Sequence, residues 1–283
     1  MGLFRIGTDP SCENETPDKY RIYSDLLLKL KLKELMVNSS GVTSPQMVVD
    51  GHWFAGLLEP VECLFIRHGE SEGNQEGIFQ GRRDYSLTQR GREQARRRAA
   101  SFEKYPWYKT PERVRVFTSP LARARQTAEI ISETCRFNPP EVLDALMELD
   151  VGIWTGQQIR RIKEEEKEQW EQFRHMSWEG VPGAEKIDSL YNRALAVWAH
   201  LSAVAQGKVG ADSQDSSAAL LPRALICITH GGMLQWLVKV TFGYRSWFPL
   251  LPIHNVGLYR CRIEPVSPSF ALLSWLELDS PLE

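Results

Sequence analysis

The sequence predicts an α/β fold: a three-layer sandwich in which a mostly parallel central sheet carries helices on both faces. Two observations predict it. From residue 61 onward, short apolar runs alternate with longer segments of helical periodicity, which is the order typical of a parallel sheet with crossover helices. The chain has 283 residues, of which 42% are hydrophobic, so it can bury one sizeable core.

The predicted strands are apolar runs bounded by turn-forming residues, and the predicted helices carry apolar side chains at helical spacing. In the longest apolar helix, Ile187, Tyr191 and Trp198 fall on one face. We expect strands over 61–66, 113–119, 141–148, 223–230, 255–264 and 270–278. We expect helices over 88–104, 120–135, 155–176, 185–206 and 231–243.

Residues 1–60 differ in composition from the rest and predict an N-terminal extension, partly helical and of unknown role, ahead of the α/β domain over 61–283. Residues 8–18 are polar and rich in turn formers, which favours a loop or disorder. Residues 24–36 are rich in leucine and lysine and favour a helix that begins at Ser24.

Composition excludes several classes of function. The net charge is −2, which gives no general affinity for nucleic acid or an anionic membrane. No apolar stretch is long enough to span a bilayer. The five cysteines are scattered without a CxxC pair, so neither a zinc site nor a disulfide framework is predicted, and a reducing cytoplasm fits best.

Charged side chains follow the predicted strands at the points where the strands end. Because ligands bind at the carboxyl ends of strands in such sheets, we expect these side chains to converge at one edge. They are, in chain order, Arg67 and His68, then Arg123, Glu148 and His230.

This set of side chains suits phosphoryl transfer. Arginine holds two phosphoryl oxygens at once with a fixed fork of donors. A neutral imidazole attacks phosphorus and forms a phosphohistidine, while a second histidine donates to an oxygen of the same group. A carboxyl group beside a phosphate retains a proton more readily, and that proton can pass to the leaving oxygen.

Five motifs occur in the order of a known family. They are "RHGESEGN", "FQGRRDYSLTQRGREQA", "TSPLARARQTAEI", "LMELDVGIWTGQ" and "ITHGG". With them, the chain from about residue 61 to 280 resembles the histidine phosphatase superfamily, also called the phosphoglycerate mutase-like family. Any one motif alone would be a weak signal, whereas five in order are specific.

The resemblance implies a role for each matching residue. His68 would be the phosphorylated nucleophile, and Glu148 would be the general acid and then the base that activates water. Arg67, Arg123 and His230 would bind the transferring phosphoryl group. Asn74, Gln80, Gly81 and Gly231 would bind phosphate or substrate, although Gln80 is not the small hydroxyl residue common in mutases. The family needs neither a metal nor a cofactor.

Several alternatives stay open. The Gly-x-Trp-x-Gly form of the fourth motif favours a phosphatase that acts on a small phosphorylated metabolite. The basic residues Arg160, Arg161 and Lys163 are compatible with a second hypothesis, a cofactor-dependent phosphoglycerate mutase. A third hypothesis is a regulatory or protein-binding member of the superfamily. Arg125 is an alternative to Arg123 as the phosphate-binding arginine. Arg82 and Arg83 could also reach the substrate, and a homo-oligomer is compatible with the sequence.

Overall fold

The computed structural model describes residues 48–175, 177–209, 220–245 and 253–278. The helix predicted at 24–36 and the loop predicted at 8–18 lie outside these residues. Within the described ranges, no helix is both long enough and apolar enough to cross a membrane.

A six-stranded mixed sheet forms the centre of the fold, with strand order β4-β3-β6-β1-β7-β8. The strands are β1 (Val61–Arg67), β3 (Val114–Thr118), β4 (Glu141–Val142), β6 (Ala224–Thr229), β7 (Leu258–Ser267) and β8 (Phe270–Leu278). The first four are parallel to one another, and the last two add antiparallel to one edge. A separate two-stranded sheet joins β2 (Ile78–Phe79) to β5 (Gln157–Gln158).

Seven α-helices accompany the sheet in the described part of the chain. They are α1 (Glu72–Gln75), α2 (Gln89–Ala100), α3 (Ala122–Cys135), α4 (Ile159–Glu165), α5 (Lys167–His175), α6 (Ile187–Ala205) and α7 (Gly231–Phe242). Alternate side chains of β1 enter two different cores. Leu64 packs in one core with Ala128 of α3, and Phe65 packs in the other with Trp198 of α6. The predicted α/β fold, with helices on both faces of a mostly parallel sheet, is therefore confirmed.

Two predicted elements differ from those observed. The strand expected over 141–148 ends at Val142, and a short 3₁₀ helix, Asp144–Leu146, follows it. The helix expected over 155–176 is divided into β5, α4 and α5, with the break at Glu166. The indole Nε1 of Trp154 donates to Glu166 Oε2 at 2.7 Å, so a tertiary contact holds the residue at which the helix breaks.

Residues 48–57, which belong to the predicted N-terminal extension, pack against the α/β domain. The amide of Val49 donates to the carbonyl of Val240 at 3.2 Å. The buried ring of Phe54 meets Trp198 edge-on, with centroids 6.2 Å apart. This segment therefore contributes side chains to the same core as α6 and α7.

Candidate active site

His68 lies immediately beyond β1 and is buried, with 2% of its surface exposed. Its Nδ1 is 2.6 Å from the carbonyl oxygen of Gly69. Because a carbonyl only accepts, Nδ1 carries the proton of the neutral ring. Burial lowers the pKa of His68 well below its ordinary value, and the charges of Arg123 and Arg67 lower it further. The ring is therefore neutral near pH 7, and Nε2 holds the lone pair.

His230 lies beside His68 because their strands are parallel neighbours, with Arg67 in register with Thr229. The centroids of the two imidazole rings are 5.2 Å apart. The Nε2 of His230 is 2.8 Å from Ser119 Oγ. Burial lowers the pKa of His230 well below its ordinary value, and nearby positive charges act in the same direction.

Two arginines bring positive charge to the histidines. Arg67 Nη1 donates to the carbonyl of Ile253 at 2.7 Å. Arg123 donates to the carbonyls of Gly81 and Arg83 at 2.8 and 2.9 Å. The buried Nε of each arginine has no hydrogen-bond partner among the described residues. Burial lowers the pKa of Arg123 to about 10, so its guanidinium stays charged at neutral pH.

The carboxylate of Glu148 lies at the first turn of α7, just after His230. Oε1 accepts from the amides of Leu149 and Met233 at 2.9 and 3.1 Å, and Oε2 accepts from the amide of Gly232 at 3.2 Å. Its charge acts on both Arg67 and Arg123. The expectation that a strand delivers Glu148 was wrong, since the loop after Asp144–Leu146 delivers it. The side chain nevertheless joins the same cluster.

The loop after His68 brings further predicted residues to the site. Ser71 caps α1 reciprocally with Asn74, and Ser71 Oγ donates to Gln80 Oε1 at 2.8 Å. Gly81 has a φ of +49°, a backbone conformation that glycine adopts most easily. This conformation lets its carbonyl accept from Arg123. These predicted substrate-contacting residues therefore belong to one connected loop.

Gly231, the first residue of α7, also lies in the cluster. A Cβ added there would be 3.8 Å from Arg67 Nε, so the backbone of α7 approaches that guanidinium closely. Of the two arginines considered for the phosphate site, Arg125 is exposed, whereas Arg123 is 1% exposed. Arg83 is exposed, and Arg82 is bound to Glu185.

Sequence reasoning missed Asn255. Its Nδ2 donates to the carbonyl of His68 at 3.1 Å and to Asn74 Oδ1 at 3.2 Å. Asn255 reaches the site because β7 pairs antiparallel with β1, and no local pattern in the sequence marks that pairing. Through these two hydrogen bonds, Asn255 connects the backbone of His68 to the side chain of Asn74.

No group of three or more His, Cys, Asp or Glu side chains could hold a metal ion in the described ranges. The positive charge of the site comes from Arg67 and Arg123. The arrangement can therefore bind an anion and offer it a neutral imidazole nucleophile.

Comparison with known proteins decides the family. The model of the histidine phosphatase superfamily (branch 1) matches residues 63–275. The chain belongs to this superfamily. The recognition based on the five sequence motifs is thereby confirmed, and all of the predicted site residues fall within the matched range.

The proteins similar to this chain have the names of phosphatases and of mutases. The probable phosphoglycerate mutase GpmB of Salmonella paratyphi C is 30% identical over 192 residues, which cover 66% of this chain and 77% of that protein. A mycobacterial glucosyl-3-phosphoglycerate phosphatase has a TM-score of 0.59 at 19% identity, with coverage of 79% of this chain and 99% of that one. A phosphoglycerate mutase from Bacillus anthracis has a TM-score of 0.59 at 16% identity, with coverage of 77% and 93%. The two structural likenesses establish the shared fold.

Proposed function

We propose that this histidine phosphatase superfamily member hydrolyses a small phosphorylated metabolite through a phosphohistidine formed at His68. The state of His68 carries the proposal. Its buried ring is neutral, and the hydrogen bond from Nδ1 to Gly69 leaves the lone pair on Nε2. A neutral imidazole among fixed cations is the species that attacks a phosphoryl group.

In the first step, Nε2 of His68 attacks phosphorus, and the ester P–O bond breaks as the P–N bond forms. Arg67 and Arg123 each hold a buried Nε donor without a partner among the described residues, and these donors suit the phosphoryl oxygens. Ser119 Oγ accepts from the amide of Leu121 at 3.3 Å, and we take its own proton to be donated to His230 Nε2, 2.8 Å away. The ring proton of His230 then lies on Nδ1, which is also buried without a described partner.

Glu148 completes both half-reactions. Its carboxyl group gives a proton to the leaving oxygen, so that an alcohol departs instead of an alkoxide. In the second step, the carboxylate takes a proton from water while the water oxygen attacks phosphorus. The P–N bond breaks, inorganic phosphate leaves, and His68 and Glu148 return to their starting forms.

The contacts of α4 support hydrolysis over mutase activity. A mutase of this superfamily would need basic side chains to hold the carboxylate of phosphoglycerate. Arg160 and Arg161 are exposed and paired with Glu164 and Glu165, each at 2.8 Å. Lys163 Nζ lies over the ring of Trp170, 5.1 Å from its centroid. All three basic residues of this helix therefore have partners of their own.

A phosphoglycerate mutase is the second candidate, because the relative at 30% identity carries that name. One experiment separates the two candidates. The purified protein is incubated in EDTA with a panel of phosphomonoesters that includes 3-phosphoglycerate, and free phosphate is followed. Parallel samples contain 2,3-bisphosphoglycerate and are assayed for 2-phosphoglycerate.

Hydrolysis predicts phosphate release that His68→Ala abolishes and His52→Ala leaves intact, since His52 is exposed. Rapid acid-free quenching with a ³²P-labelled ester should trap label on the wild type and none on His68→Ala. Interconversion of the phosphoglycerates with little phosphate released would favour the mutase. If the protein neither releases phosphate nor forms 2-phosphoglycerate, both candidate functions are contradicted.

A further inference from the structure

A partly buried cluster of three charged residues, Glu185, Arg193 and Arg82, lies against the loop that carries Glu148. Arg193 of α6 grips the Glu185 carboxylate with two donors, Nε to Oε1 at 3.1 Å and Nη2 to Oε2 at 2.7 Å. Arg82 Nη2 donates to the same Oε2 at 3.0 Å. The side chain of Glu185 is 6% exposed. None of the three has a part in the chemical steps described above.

Both arginines also bind the backbone of the loop. Arg82 Nε donates to the carbonyl of Glu148 at 3.2 Å, and Arg193 Nη2 donates to the same carbonyl at 3.4 Å. Arg193 Nη1 donates to the carbonyls of Ala145 and Met147. Apart from one 3₁₀ turn, this loop has no regular structure. These guanidinium bonds therefore replace the backbone ladder that a strand would have supplied.

Glu185 also binds the loop directly. Its own amide donates to the carbonyl of Asp150 at 2.9 Å, and its Oε2 accepts from the amide of Asp150 at 3.4 Å. Burial works to raise the pKa of Glu185, but the hydrogen bond and charge of Arg193, with the charge of Arg82, outweigh it. The pKa of Glu185 therefore lies below its ordinary value, and the carboxylate that holds the two guanidinium groups stays ionised at neutral pH.

We propose that Glu185, Arg193 and Arg82 are positioning residues that hold the backbone of Glu148 so that its carboxyl group meets the leaving oxygen. This inference rests on the proposed function, because it takes Glu148 as the general acid. The side chain of Glu148 is held by amides of α7, and its carbonyl is held by the cluster. A displacement of about 1 Å at a reacting group can cost on the order of a hundredfold in rate.

The test compares two phosphate esters whose leaving groups differ in how strongly they require a proton. Glycerol 3-phosphate releases an alkoxide that must be protonated, whereas p-nitrophenyl phosphate releases a stable phenolate that needs little help. We expect Arg82→Gln and Arg193→Lys to lower kcat/KM for glycerol 3-phosphate about tenfold or more beyond any loss for p-nitrophenyl phosphate. Arg82 is partly exposed, with 37% of its side-chain surface accessible, so we expect Arg82→Gln to fold even if Arg193→Lys does not.

Glu62→Gln is the matched structural control. Glu62 is 8% exposed and binds Arg260 at 3.1 Å, but it lies near the start of β1, at the opposite end of the strand from His68. Its loss should lower stability without changing the ratio of the two kcat/KM values. In a Glu148→Gln background, Arg82→Gln should have no further effect on that ratio, because it acts through Glu148.

The outcomes separate the two levels of inference. Equal losses for both esters in the cluster variants, or the same ratio change in Glu62→Gln, would overturn the positioning role while leaving the proposed function intact. Wild-type protein that hydrolyses neither ester nor any member of the phosphomonoester panel would overturn the proposed function, and the positioning role with it.

Discussion

His68 and His230 lie in adjacent parallel strands, with their ring centroids 5.2 Å apart and both rings buried. Two imidazolium ions at that separation, beside two arginines, would repel strongly in a medium of low polarity. The site therefore favours the neutral form of both rings. The lowered pKa of His68, on which its proposed role as a nucleophile rests, follows from burial and from its cationic neighbours.

Direct titration can check the charge state of the two rings. We expect His68 and His230 to remain neutral at pH 6, because burial and neighbouring cations hold the pKa of each well below the ordinary value. A histidine in an unfolded chain, with a pKa of about 6.5, is mostly protonated there. Long-range ¹H–¹⁵N spectra of the imidazoles measure the state, with His68→Asn and His230→Asn for assignment. An imidazolium signal from His68 at pH 6 would contradict the expectation.

The same shifts predict how stability depends on pH. Between the lowered folded-state pKa and the unfolded value, protons bind the unfolded chain preferentially. The free energy of unfolding should therefore fall as pH drops from about 7.5 to 5.5, by at most about 1.4 kcal/mol per pH unit for each histidine. Urea denaturation at both pH values measures it.

A double variant, His68→Asn with His230→Asn, supplies the control for this pH dependence. It should lose much of the difference in unfolding free energy between the two pH values. Burial also lowers the pKa of His200, but that residue is present in both proteins and its contribution cancels in the comparison. An unchanged pH dependence in the double variant would show that other groups cause it.

Arg123 and Arg125 form a matched pair for testing the phosphate site. Arg123 is buried and binds the carbonyls of Gly81 and Arg83, whereas Arg125 is exposed. Arg123→Lys keeps the charge but loses the fork, and we expect kcat/KM to fall by about 10²–10³. Arg125→Lys should change it by no more than about twofold. Steady-state kinetics on the best ester measures both, and comparable losses would argue against the assignment of Arg123.

The sequence predicted the parts of the site that local pattern encodes. β1 and β6 are continuous apolar runs bounded by polar residues, so their ends could be read to within a residue. Parallel strands end at a common edge of the sheet, so the sequence alone predicted that Arg67, His68 and His230 lie close together. The roles proposed for these residues came from the resemblance of the motifs to the family.

The rest of the site depends on contacts between distant parts of the chain. The loop that carries Glu148 is held by side chains from distant segments, such as Arg193 of α6, and no periodicity within residues 141–150 predicts that support. Trp154 binds Glu166, the residue at which the helix breaks, and Asn255 reaches His68 through the pairing of β7 with β1. Propensity and motif spacing describe neighbours in sequence, so they do not predict these contacts.

Substitutions at Gly232 and Gly231 test whether the position of the Glu148 carboxyl group matters for activity. A Cβ added at Gly232 would lie 2.5 Å from both Glu148 Oε1 and Leu149 Cδ2, so Gly232→Ala must displace these side chains. We expect kcat/KM for an alkyl phosphate to fall on the order of a hundredfold, with a smaller fall for p-nitrophenyl phosphate. Gly231→Ala is the comparison, because its Cβ would meet Arg67 Nε at 3.8 Å, an ordinary contact. Since Gly231 is a predicted phosphate- or substrate-binding residue beside Arg67, any loss there should be similar for the two esters. Kinetics with both esters and thermal unfolding of each variant measure this. An equal fall for the two esters in Gly232→Ala would mean that Glu148 does not protonate the leaving group.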